Sequence, residues 1–116
     1  PDMLLARYEA GKIYYDRGKL DEAVSELSKV VAADPTFRPA IETLAQARFK
    51  RGSVDEAIAL LERAVALDPT WPNAFALLGR AYKSAGRLEE ARKAFETAKR
   101  LSIEERKRLE RAVSQP

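Results

Sequence analysis

The chain contains no histidine and no cysteine in its 116 residues. Without histidine it lacks the side chain that most often acts as a general base near neutral pH, and without cysteine it has neither a thiolate nucleophile nor a disulfide. Together the two absences remove the ligands of most transition-metal sites, so no metal and no cofactor is expected. The lack of cysteine does not report a compartment, which stays open with the cytoplasm slightly favoured. No apolar run approaches the roughly 20 residues of a membrane span, and the opening PDMLLARYEA has neither the basic start nor the long apolar centre of a signal peptide. The chain therefore reads as soluble, with no membrane partner. It begins at Pro1 instead of a methionine, and the expectation is a piece of something longer. Charge of one sign is also scarce: the net charge is +3, and all of it lies in residues 99–116, where six Lys and Arg face three Asp and Glu.

What the chain does have is hydrophobic residues at 46% and charged residues at 34%, an amphipathic balance that suits one folded domain. It also repeats itself. Residues 4–37 laid over 38–71 without a gap give 12 identities in 34 positions, where average composition gives about two. A third copy, 72–105, keeps the register: Gly18, Gly52 and Gly86 align, as do Ala23, Ala57 and Ala91.

Inside each unit the apolar spacing is helical, as in Ile41, Leu44, Ala45 and Phe49, then Ala57, Ile58, Leu61, Ala64 and Val65. Each unit is thus two helices. The aligned glycines fall between them, where a left-handed residue ends a helix without a Cβ penalty. Asp21 and Glu22, Asp55 and Glu56, and Glu89 and Glu90 open the second helices, where acidic side chains suit the exposed N–H groups. Pro35 and Pro69 close them, while Pro39 and Pro72 stand where the next helix begins. After the third unit, Ser102 with Glu105 has the spacing of a capping box, followed by the narrow apolar stripe Ile103, Leu109, Ala112 and Val113. This predicts a seventh helix over 103–114, covering the open end of the stack.

A 34-residue helical hairpin of this kind resembles the tetratricopeptide repeat. The third unit fits best, with Phe75, Leu78, Gly79, Tyr82, Ala91, Phe95 and Ala98, although Ile103 replaces the closing proline. The second matches at Ile41, Leu44, Ala45, Ala57, Leu61, Ala64 and Pro69, with Arg48 where tyrosine is usual. The first keeps Gly11, Tyr14, Ala23, Leu27 and Pro35, with Arg7 and Ala10 in large apolar places. The resemblance covers residues 4–105. It implies an all-α fold, a right-handed α-α superhelix (solenoid) of three hairpins, here with the seventh helix as its cap.

Catalysis fits the residues poorly. The adjacent carboxylates are neighbours on a helix and point about 100° apart, and their common turn position already explains them. The AGK at residues 10–12 lacks the upstream glycine of a phosphate loop. The resemblance instead implies a non-catalytic protein-interaction module, whose leading helices line a concave groove for a peptide or a helix of a partner. Carried over unit by unit, the groove positions are Leu5, Tyr8, Lys12, Tyr15 and Asp16; Glu42, Gln46, Phe49 and Lys50; and Asn73, Leu77, Arg80, Lys83 and Ser84. For Tyr15 and Phe49, packing between hairpins is an equal alternative. Family members that clamp a chaperone carboxylate use Lys, Asn and Arg where this chain has Tyr8, Lys12, Thr43, Asn73 and Leu77, so that clamp is absent. Two other readings stand beside this one. Arg106, Lys107, Arg108 and Arg111 could meet nucleic acid, though one basic helix neutralises few phosphates. End faces of the stack could also join copies, the expected state being a monomer or weak homo-oligomer.

Overall fold

The computed structural model describes residues 2–115; Pro1, where the expectation of a longer protein starts, and Pro116 lie outside them. Six helices follow one another: α1 (Asp2–Asp16), α2 (Leu20–Ala33), α3 (Arg38–Lys50), α4 (Val54–Leu67), α5 (Pro72–Ser84) and α6 (Leu88–Ser114). Each helix packs on the next, and the leading helices also touch one another, α1 on α3 and α3 on α5. Among the described residues α2, α4 and α6 make no such contact with each other. An inner row in contact and an outer row splayed apart is the geometry of a curved stack. The radius of gyration, 15.4 Å, exceeds the ~13 Å of a compact domain of this length, as an open solenoid requires.

The hairpin turns follow from three glycines. Gly18, Gly52 and Gly86 have φ of 75°, 89° and 78°, which only glycine adopts without strain. The residue after each returns a backbone bond to the preceding helix: Lys19 to Tyr14 at 2.9 Å, Ser53 to Arg48 at 2.8 Å and Arg87 to Tyr82 at 2.9 Å. These bonds satisfy carbonyls that the helix end leaves open. Between units the chain turns at Asp34 and Asp68, both with φ of −141°. Here the aspartate side chains add to the action of the prolines. The Thr36 hydroxyl donates to Asp34 at 2.7 Å and its backbone N–H at 3.0 Å, and these two bonds hold the Asp34 carboxyl below its ordinary pKa. Thr70 repeats the arrangement on Asp68 at 3.1 and 3.4 Å.

Leu27, Val30, Ile41, Leu44 and Leu61 are fully enclosed along the seams, each side chain contributing about 1.5–3 kcal/mol by leaving water. Between them lie small residues, Ala40, Ala45, Ala47, Ala57, Ala74 and Ala81, which let neighbouring helices approach closely.

The predicted seventh helix is helical but not separate. Residues 103–114 continue α6 without a break, giving six helices where seven were expected. The physical reason is Ile103. It stands where Pro35 and Pro69 end the earlier units, but it has a backbone N–H and no ring, so nothing interrupts the hydrogen-bond ladder. Ser102 is accordingly mid-helix, and the capping box expected with Glu105 does not form. Residues 102–115 are exposed throughout, held as a helix partly by Arg100–Glu104 at 3.4 Å and Arg106–Glu110 at 3.8 Å, one turn apart. No helix among the described residues is long and apolar enough to cross a membrane.

Candidate functional site

The inner row of helices brings together residues that lie about 34 apart in sequence. A cavity of about 220 Å³ opens where α1, α3, α4 and α5 meet, lined by Tyr15, Gln46, Phe49, Lys50, Leu77 and Arg80. Its floor is small and apolar, Ala45, Ala57, Leu61 and Ala81. Periodicity alone assigns these four to the core and does not reveal that they shape a recess.

Two cations on the rim are held by rings of the preceding unit. The Lys50 ammonium lies 4.7 Å from the centre of the Tyr15 ring, and the Arg80 guanidinium carbon 5.8 Å from that of Phe49. Tyr15 and Phe49 occupy equivalent places, are half-buried, and resolve the two alternatives into one: each packs at a seam and also presents a face to the cavity. Such contacts are worth ~0.5–1 kcal/mol at exposed sites and hold a long side chain in place.

The other groove residues lie further out. Tyr8 is half-buried, its ring 5.3 Å from Phe37. Leu5, Lys12, Asp16, Asn73, Lys83 and Ser84 are exposed and outside the cavity. Glu42 is half-buried and already engaged, accepting a 3.0 Å hydrogen bond from Trp71 Nε1. The pair joins the leading helix of the second unit to its closing turn, at the places that Tyr8 and Phe37 hold in the first. Trp71 in turn lies under Arg38, which pairs with Asp68, so a charged network ties the start of α3 to the turn between α4 and α5. Lys12, Lys50, Arg80 and Lys83 form no ion pair with a carboxylate among the described residues.

Stacked hairpins of fixed period, with leading helices side by side on one face, define an α-helical repeat solenoid. Two family models described as tetratricopeptide repeat match it, one over residues 1–36 and the other over residues 48–101. Among solved structures it is similar to the first tetratricopeptide domain of human RPAP3, with 29% identity and a TM-score of 0.80 over 98% of this chain and 94% of that one. It is likewise similar to the first such domain of Spaghetti (RPAP3) bound to the HSP90 peptide SRMEEVD, at 28% identity and a TM-score of 0.79, over 97% of this chain and 94% of that one. A mutant form of MamA shows 32% identity and a TM-score of 0.77, over 87% of this chain and 74% of that one. Among curated proteins no sequence relative is found. The chain belongs to the tetratricopeptide repeat family, and is a protein–protein interaction module.

Proposed function

We propose that the face formed by α1, α3 and α5 receives an extended, acidic segment of a partner protein and performs no chemistry on it. The observation that carries this reading is the cavity in which Tyr15, Gln46, Phe49, Lys50, Leu77 and Arg80 converge. Among the described residues its rim cations have no carboxylate partner, and their stacking on Tyr15 and Phe49 limits the side-chain freedom lost when a ligand binds. Gln46 can pair with a peptide backbone, while Leu77 and the rings accept an apolar side chain. Leu5, Tyr8, Lys12, Glu42, Asn73 and Lys83 would extend the contact on either side.

The peptide held by the Spaghetti (RPAP3) domain, SRMEEVD, is acidic. In this chain the places of a terminal clamp hold one cation, Lys12, so acidic side chains of an internal segment are the better match for Lys50 and Arg80. Selection from a random-peptide display library tests this. The expected result is enrichment of peptides with Asp or Glu near an apolar residue, which bind a Lys50→Ala/Arg80→Ala double variant about tenfold more weakly or worse, a loss of ~1.4 kcal/mol. Selected peptides that bind the double variant equally well would show that another face is used.

A second reading, self-association, is favoured by the apolar stripe on the free half of α6, where Ile103, Leu109 and Val113 are exposed. Sedimentation at several concentrations decides it: a dimer that Leu109→Lys dissolves supports it, and a monomer throughout ends it.

A further inference from the structure

The outer surface carries a second recess, distinct from the groove and independent of the reading above. It lies between α2 and α4 with α3 beneath, has a volume of about 350 Å³, and is walled mostly by aliphatic groups, among them Val31, Ile41, Leu44, Leu60 and Leu67. Its polar residues are Ser28, Arg48 and Arg63.

Comparison with the next seam shows why it is open. At the place equivalent to Arg48 the third unit has Tyr82, which is buried and bonded to Glu62 on the preceding outer helix. At the place equivalent to Ile41 it has the larger Phe75. In the second unit a smaller floor residue and a guanidinium replace two rings, and the residue equivalent to Glu62 is Ser28, which carries no charge to meet the arginine.

Arg48 is therefore enclosed and poorly partnered. Its side chain is 18% exposed, its Nε–H is buried and, among the described residues, donates no hydrogen bond and has its nearest carboxylate oxygen, on Glu56, 3.8 Å away. Glu56 also serves Arg51, which in addition reaches Asp21 at 3.2 Å, and Arg63 has no ion pair among the described residues. Burial pushes the Arg48 guanidinium below its ordinary pKa; Glu56 opposes this, while Arg51 and Arg63 add to the fall. A desolvated cation with surplus positive charge beside it favours an anion at the mouth of the recess.

We infer that this recess binds the free carboxyl terminus of a partner polypeptide whose last residue is aliphatic, the carboxylate meeting Arg48 and the side chain lying against Ile41, Leu44 and Leu60. The recess is too small for a helix, which is ~10–12 Å across. Charge directly beside an apolar wall matches a terminal residue, whose carboxylate and aliphatic chain share one Cα, better than glutamate, whose charge sits at the end of its methylenes.

The test is a nitrogen-15 NMR titration with acetyl-alanyl-alanyl-leucine, as the free acid and as its C-terminal amide. The free acid is expected to shift the amides of Ser28, Val31, Leu60 and Arg63 in a saturating manner, and the amide to bind at least ~10-fold more weakly. Arg48→Tyr, which installs the residue of the third unit, should abolish the response while circular dichroism shows the fold intact. Equal binding of the amide, no saturating shift at millimolar peptide, or shifts centred on Gln46 and Leu77 of the opposite face would overturn the assignment. So would octanoate binding as tightly as the peptide in an Arg48-dependent way, since the recess would then take a free acid. Should Arg48→Tyr fail to fold, the acid-against-amide comparison on the unmodified chain still decides.

Discussion

The Tyr82 hydroxyl donates a 2.5 Å hydrogen bond to a Glu62 carboxylate oxygen across the seam between the second and third units. Burial first, and then this bond to an acidic partner, push the phenol up to about 12. An unfolded tyrosine ionises near 10, so the folded state favours the neutral form. The stabilisation is complete below pH ~10 and is lost as the pH rises through about 12. Urea midpoints measured between pH 8 and 12 should fall in that upper window, and Tyr82→Phe should lower stability by about 1 kcal/mol at pH 8 and flatten much of the alkaline fall.

Arg48→Tyr should stabilise the fold by about 1–2 kcal/mol, because it exchanges an enclosed, under-bonded cation for a ring that fills the outer recess. The urea midpoint should rise with an unchanged slope. A lower midpoint would mean that the Glu56 contact outweighs the cost of enclosing Arg48.

Gly11 and Gly79 occupy equivalent places yet should respond differently to alanine. A Cβ on Gly11 would lie 2.7 Å from Leu27 Cγ, and Leu27 is 0% exposed, so it has nowhere to go. A Cβ on Gly79 would meet the Phe95 ring at 2.8 Å, but Phe95 is 38% exposed and can swing toward solvent. Alanine is favoured over glycine in a helix by about 1 kcal/mol in both cases. Gly11→Ala should therefore destabilise by about 1–3 kcal/mol and Gly79→Ala by clearly less, read from thermal melts of both variants.

Ile103→Pro should restore the break that Pro35 and Pro69 impose on the earlier units. Proline in a helix interior costs ~3 kcal/mol locally, but residues 102–115 lie outside the packed stack. Far-UV circular dichroism should lose part of the helical signal of 102–114, while the main melting transition stays within a few degrees. A collapse of that transition would show that the free half of α6 supports the stack.

The features legible in the sequence were those set by single residues acting locally. Gly18, Gly52 and Gly86 mark backbone reversals by what their φ angles permit, and Pro35 and Pro69 mark helix ends by what their rings forbid. Ser102 with Glu105 has the spacing of a cap, but a cap also needs a backbone break, and Ile103 supplies none, so α6 runs on through 103–114. The prolines mark the ends of α2 and α4, but the carboxylates of Asp34 and Asp68 also bind Thr36 and Thr70, which the proline signal does not report. At the groove, spacing placed Tyr15, Phe49, Lys50 and Arg80 on leading helices, but the pairing of each cation with a ring of the previous unit depends on how the units stack. The link from Trp71 to Glu42 closes the second unit on its own leading helix at the places where Tyr8 meets Phe37 in the first, and periodicity does not show that the equivalent pair is a hydrogen bond in one unit and a ring contact in the other.

Trp71 is the single tryptophan of the chain, 3% exposed at the start of α5, with its indole N–H on Glu42 and Arg38 above its ring. That makes it a built-in optical gauge of one junction. Repeat arrays hold together through nearest-neighbour interfaces and loosen from their ends, so indole emission would stay constant while the outermost helices fray. It would redden when water reaches the joint between the second and third hairpins, separating terminal unravelling from loss of the whole array in a single spectrum.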